Sequence, residues 1–95
     1  LSTYSSHLLH MKYFMENANG RTLFFIDELG SGSDPNLGGA FAEVILQELV
    51  KKHSLGIVTT HYLNLKVMAN HTPGVINGAM SFDEVSLMPL YRLII

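Results

Sequence analysis

The chain has no cysteine, which excludes disulfide staples, thiolate metal sites and a thiol nucleophile. That absence fits a reducing compartment. Charge is also scarce: charged residues make up 15% of the chain, against about 25% in an average soluble domain. Apolar residues reach 47%, so intrinsic disorder is excluded and the chain collapses around a core. A formal charge of −2 and a pI near 6.2 argue against a phosphate-binding surface spread over the segment. Leu23-Phe24-Phe25-Ile26, the longest apolar run in the middle of the chain, falls far short of the ~20 residues that span a bilayer. No basic start followed by an apolar stretch suggests a signal peptide.

Ninety-five residues allow one domain at most. A chain this short buries only about 60–65% of the surface its unfolded form exposes. So much apolar surface on so small a body therefore reads as a segment of something larger. The opening on Leu1 and the close on Leu93-Ile94-Ile95, without a polar tail, suggest the same. No internal repeat, low-complexity tract or linker interrupts it.

Apolar positions Tyr4, Leu8, Met11 and Met15 share one helical face. Ser2 or Thr3 can cap that helix, and Asn19-Gly20 is expected to end it through a left-handed glycine. Thr22 to Ile26 reads as a strand without polar alternation, of the kind found inside a sheet covered on both sides, usually a parallel one. Leu29 to Ser33 form a glycine- and serine-rich loop, and Asp34-Pro35 open the next helix, Asp34 as cap and Pro35 in the first turn. That helix is predicted to run to about His53. Leu37, Phe41, Val44, Ile45 and Leu49 face inward, Glu43, Gln47 and Lys51 outward, and Glu48 pairs with Lys52. Gly56 to Thr60 is a second buried strand, which completes a βαβ unit. A short helix follows over about Leu63 to Asn70. Ile76, Gly78, Met80 and Phe82 then alternate with polar or small residues as a strand, partnered by Leu87 to Ile95 with Pro89 at an edge. Asn77-Gly78 is a competing turn signal. The five methionines are read as core filler.

Four groups of residues can carry chemistry. Asp27 and Glu28 leave a buried strand at its C-terminal end, the edge on which open α/β sheets bind ligands. There an aspartate can hold Mg²⁺ and the glutamate can polarise a water attacking a phosphate; the alternative is a pair of exposed acids. Thr59-Thr60-His61 close the neighbouring strand, where His61 can hydrogen-bond a terminal phosphate or simply meet solvent. Ser2, Thr3, Tyr4 and Ser5 at a helix N-terminus make an anion site or an ordinary cap. The loop from Gly30 to Pro35 lets backbone approach backbone, or is a passive turn. His7, His10, His53 and His71 have no comparable placement and are read as structural.

In this order the groups resemble the second half of an ABC-type ATPase domain: signature helix, Walker B strand, D-loop, helix and switch-histidine strand. Among such ATPases the chain is most similar to the MutS family of DNA mismatch-repair and recombination proteins. Leu1-Ser2-Thr3-Tyr4-Ser5 with His7 is similar to that family's STFS-type signature, with tyrosine for phenylalanine. Leu23 to Leu29 resembles its Walker B, and Thr59 to Tyr62 its histidine segment. Gly32-Ser33-Asp34-Pro35, Leu65-Lys66 and Phe82-Asp83 with Leu87, Pro89 and Tyr91 suggest a paralogous branch rather than the repair protein proper. A transporter's nucleotide-binding subunit would resemble LSGGQ at the signature; another ABC-type ATPase and a non-catalytic dimerisation module are the alternative readings.

The resemblance implies an α/β, partial P-loop NTPase fold of the ABC type over residues 1–95, three-layered, with a parallel βαβ core and a C-terminal antiparallel strand pair. It implies ATP and Mg²⁺ as cofactors, with Asp27 serving the metal, Glu28 the attacking water and His61 the γ-phosphate. Ser2, Thr3 and Ser5 would reach ATP held by the opposing subunit of a homodimer, and Ser33 and Asp34 would line that interface. DNA would be contacted by other domains, and the protein would be cytoplasmic with no membrane partner. One part is missing: no G-x-x-x-x-G-K-S/T occurs in the chain, so the phosphate cradle is expected upstream of Leu1. The 95 residues alone are therefore expected to bind and turn over no ATP, and to self-associate through exposed apolar faces.

Overall fold

A computed structural model describes residues 3–32 and 34–95, with side chains described from Ser6 onward apart from His7, Leu8 and Pro35. The roles expected of Ser2 and Ser33, and of the Thr3 and Ser5 side chains, lie outside the described residues. In chain order the elements are α1 (Thr3–Asn17), β1 (Leu23–Ile26), α2 (Pro35–Lys51), β2 (Leu55–Val58), α3 (Leu63–Asn70), β3 (Ala79–Phe82) and β4 (Pro89–Ile94). This is the expected βαβ unit followed by an antiparallel pair: β1 pairs with β2 in parallel and β3 with β4 antiparallel, in two separate two-stranded sheets.

On helix α1, Met11 and Met15 of the expected face pack against the core, joined by Phe14, which was not expected there; the side chains of Tyr4 and Leu8 lie outside the described residues. It does not stop on a left-handed glycine. Gly20 is not among the residues with positive φ; the Asn19 carbonyl and side chain instead take the amides of Thr22 and Arg21 and close a turn. An asparagine that bonds its own following backbone makes the left-handed glycine unnecessary.

Helix α2 begins as expected. Pro35 occupies the first turn and the Asp34 carboxylate accepts the Asn36 amide at 2.7 Å. Its buried side is formed by Ala42, Ile45 and Leu49, with Phe41 partly covered. Leu37 and Val44 are exposed, against expectation: small residues, Gly38, Gly39 and Ala42, bring the helix close to its neighbours, and the bulky flanks turn outward. The helix also ends earlier, at Lys51, because His53 adopts φ 58° and the Ser54 amide returns to the Leu49 carbonyl. The Glu48 carboxylate meets Lys51 at 3.4 Å rather than Lys52; on an exposed surface such a pair contributes little.

The β1–β2 sheet covers one face only. Phe24 is buried, its ring edge-on to Phe14 with centroids 6.0 Å apart, and Ile26 and Val58 pack beside it. On the other face Leu23, Phe25, Leu55 and Ile57 are exposed, Phe25 at 71%. The expectation of a strand covered on both sides is therefore not met among the described residues, and neither is a full three-layer fold. The residue choice is that of a doubly covered sheet, but these helices reach one side.

The chain from Ala79 to Ile94 is an almost entirely exposed hairpin. Its ladder runs from Ala79 opposite Ile94 to Phe82 opposite Pro89, with an irregularity between Met80 and Phe82. Asn77 does not turn the chain into a hairpin; its amide donates to the Lys66 carbonyl and to Asn70, tying the hairpin's approach to the end of α3. Met68 is buried as expected of a core filler, but Met80 and Met88 lie exposed on the hairpin. At its tip the Asp83 carboxylate accepts the amides of Val85 and Ser86.

Candidate functional site

The strand register builds the site. Ile26 pairs with Val58, so the next residues of each strand, Asp27 and Thr59, leave the parallel pair side by side at its C-terminal end. Beyond Asp27 the chain reverses sharply. Glu28 has φ 51°, a left-handed conformation that costs a residue with a Cβ about 1–2 kcal/mol. Leu29 then turns back into the core and is 3% exposed. The two acids are thus held on a short arch between a strand and a buried leucine, with both side chains in solvent. Strain stored at such a position is characteristic of functional sites.

Thr59 fastens the arch. Its amide donates to the Ile26 carbonyl at 2.9 Å, and its carbonyl accepts the Leu29 amide at 3.0 Å. Its hydroxyl accepts the Glu28 amide at 2.8 Å and donates to Asp27 Oδ1 at 2.5 Å. One residue of β2's exit therefore bonds to four consecutive residues of β1's exit. Sequence reading grouped Thr59 with His61 but gave it no role; a β-branched hydroxyl residue at the same strand end as an acid pair was the available signal.

His61 follows on the same rim, exposed, its ring stacked at 4.5 Å and 30° on Tyr62. Tyr62 reaches the glycine loop: its hydroxyl donates to the Gly30 carbonyl at 3.0 Å. Gly30 has φ 87°, and a Cβ there would lie 2.6 Å from the Gly38 carbonyl oxygen and 2.9 Å from the Tyr62 ring. Loop, α2 and the histidine segment therefore meet at a point only glycine can fill. Asn64 adds a second tie, donating to the Gly39 carbonyl at 2.9 Å. Sequence reading placed Tyr62 in the histidine segment but gave it no role, since nothing local to His61-Tyr62 shows that the phenol spans to residue 30.

The structure thus brings Asp27, Glu28 and the exit from Thr59 to His61 to one end of the sheet, with Asp34 capping the helix that leaves the adjoining loop. Among the described residues no three His, Asp or Glu side chains converge as a metal cage. An open groove of about 570 Å³ between α2 and α3, with Glu43, Asn64 and Met68 in its lining, includes none of the candidate residues. Among the described residues no helix is long and apolar enough to cross a membrane.

Comparison with known proteins shows the family of the chain. The family model described as MutS domain V matches residues 1–92. The endonuclease MutS2 of Thermomicrobium roseum is 45% identical over 95 residues, all of this chain and 12% of that protein. That of Carboxydothermus hydrogenoformans is 47% identical over 93 residues, 98% of this chain and 12% of its own length. That of Thermus thermophilus is 41% identical over 95 residues, 100% of this chain and 13% of its own length. The chain spans about an eighth of the length of these relatives, which support the expected paralogous branch over the repair protein proper. With the family model covering 92 of its residues, the chain belongs to the MutS domain V family.

Proposed function

We propose that this chain is the hydrolytic part of a MutS-like ATPase domain, working within a longer protein that supplies the phosphate cradle. The observation that carries this reading is the single rim on which the parallel register sets Asp27, Glu28 and the segment ending in His61.

The acid at the strand exit fits Mg²⁺. That ion favours hard oxygen donors and is commonly bound through one or two carboxylates together with water and substrate phosphate. Asp27 is exposed and has Oδ1 steadied by the Thr59 hydroxyl, so Asp27 would hold the ion, which when bound neutralises charge on the phosphates. Glu28 would orient the attacking water and take its proton as the water oxygen bonds to the terminal phosphorus. The bond to the bridging oxygen breaks, giving the diphosphate and free phosphate. The imidazole of His61 would hydrogen-bond the terminal phosphate. Ser2, Thr3 and Ser5 would reach nucleotide held by the opposing subunit of a homodimer, with Ser33 and Asp34 along that interface. ATP turnover would drive conformational change on DNA, which other domains contact, in a cytoplasmic protein. The endonuclease activity in the relatives' name is a property of whole proteins, and none of these residues is assigned a part in it.

The test is Glu28→Gln in the full-length protein. Turnover is expected to fall at least a hundredfold while ATP binding persists, because the amide keeps the shape of the carboxylate but not its basicity. Normal turnover would instead favour an assembly module, a reading that the bare apolar sheet face supports.

A further inference from the structure

We infer that Thr59 is the positioning residue of the acid pair, a single hydroxyl that sets the Asp27 carboxylate and the Glu28 backbone against each other. The inference rests on the nucleotide reading above, in which Thr59 enters only through its bond to Asp27, and extends it to the Glu28 backbone.

The chemistry of the groups fixes the direction of both bonds. A carboxylate oxygen only accepts and a backbone amide only donates. The Thr59 hydroxyl has one hydrogen, so it must give that hydrogen to Asp27 Oδ1 and receive the Glu28 amide on a lone pair. No exchange of roles is available, and the β-branched side chain is stiff about χ1. The carboxylate that would hold the cation is therefore oriented by the same oxygen that anchors the left-handed turn at Glu28. Asp27 Oδ2, the oxygen not engaged by Thr59, would be the one available to a cation. Groups that orient a metal-holding carboxylate typically change affinity or activity by 10- to 100-fold when removed.

The main-chain bonds make the inference separable from a structural role. The Thr59 amide to the Ile26 carbonyl, and the Leu29 amide to the Thr59 carbonyl, survive any side-chain substitution. Thr59→Val keeps the shape and these two bonds and loses only the hydroxyl. Thr59→Ser keeps the hydroxyl.

The test compares Thr59→Val, Thr59→Ser and Glu28→Gln in the full-length protein. Two readouts are used: ATP turnover against Mg²⁺ concentration, and single-residue hydrogen exchange without nucleotide or metal. Thr59→Val is expected to lower kcat by about 10- to 100-fold. The Mg²⁺ concentration for half-maximal rate should rise about tenfold, with KM for ATP changed less than kcat. In the apo protein the Glu28 amide should exchange about tenfold faster while the Leu29 amide keeps its protection. Thr59→Ser should restore most of the rate and the slow Glu28 exchange. The inference is overturned if Thr59→Val matches the parent in Mg²⁺ dependence and Glu28 exchange while Glu28→Gln abolishes turnover. It is equally overturned if serine is as impaired as valine, since the hydroxyl would then not be the active feature. Glu28→Gln without effect on turnover would bring down the nucleotide reading itself, a result distinct from either.

Discussion

Gly30 and Gly74 form a matched pair for isolating the packing at the glycine loop. Their φ angles are 87° and 89°, so alanine meets the same torsional penalty at each, about 1–2 kcal/mol. Alanine also restricts the unfolded chain equally at both, an offset of about 0.4–1 kcal/mol. Only the surroundings differ. Around Gly74 a Cβ meets nothing within 4 Å, whereas at Gly30 it would lie 2.6 Å from the Gly38 carbonyl oxygen, 2.9 Å from Tyr62 and 3.2 Å from Ala42 Cβ. The nearest of these is backbone and cannot swing aside, so the loop must lift off α2 and strain the Tyr62–Gly30 bond. Forcing a methyl into a filled space costs about 1–3 kcal/mol. Gly30→Ala should therefore exceed Gly74→Ala by that amount, a roughly 5- to 150-fold larger opening constant. Hydrogen exchange of the α2 and β2 amides in the full-length protein, read identically for both variants, measures the difference directly. Equal destabilisation within about 0.5 kcal/mol, or a larger loss at Gly74, would refute the claim that loop, helix and tyrosine are in contact at residue 30.

Two further predictions concern the fold away from the site. His53 holds φ 58° past the end of α2, so His53→Gly relieves a cost of about 1–2 kcal/mol. It loosens the unfolded chain by about 0.4–1 kcal/mol; the net expectation is slightly raised stability, and a lowered denaturant midpoint would count against the left-handed cap. The Asp83 carboxyl is held below its ordinary value, first by the Ser86 amide and then by that of Val85. An unfolded aspartate protonates near about 3.9, so the hairpin tip keeps this support above that pH and loses it as pH falls through the lower folded value. NMR shifts of the Val85 and Ser86 amides should titrate with a midpoint below about 3.9; a midpoint at or above it would contradict the tip geometry.

Much of this was legible in the residues because the signals are local. Asp34 starts a helix through its own side chain, with a proline next in sequence, and Leu23 to Ile26 is apolar enough to be a strand wherever it lies. The misreadings have a common origin. Leu37 and Val44 have the inward period of a helix, yet they are exposed because Gly38, Gly39 and Ala42 are the residues that face the neighbours. Gly20 looked like a helix stop, but Asn19 bonds the backbone first.

Order along the chain, the identity of the acids and the places where helices begin are properties of neighbours within a few residues, and the sequence determined them alone. That Asp27 stands beside Thr59, 32 residues away, and that the Tyr62 phenol lands on Gly30, were decided only when β1 and β2 paired in one register over a shared buried face. A one-residue slip of that pairing would send Phe24 out to solvent. Burial of the core therefore chooses the register, and the register chooses which hydroxyl holds the acids.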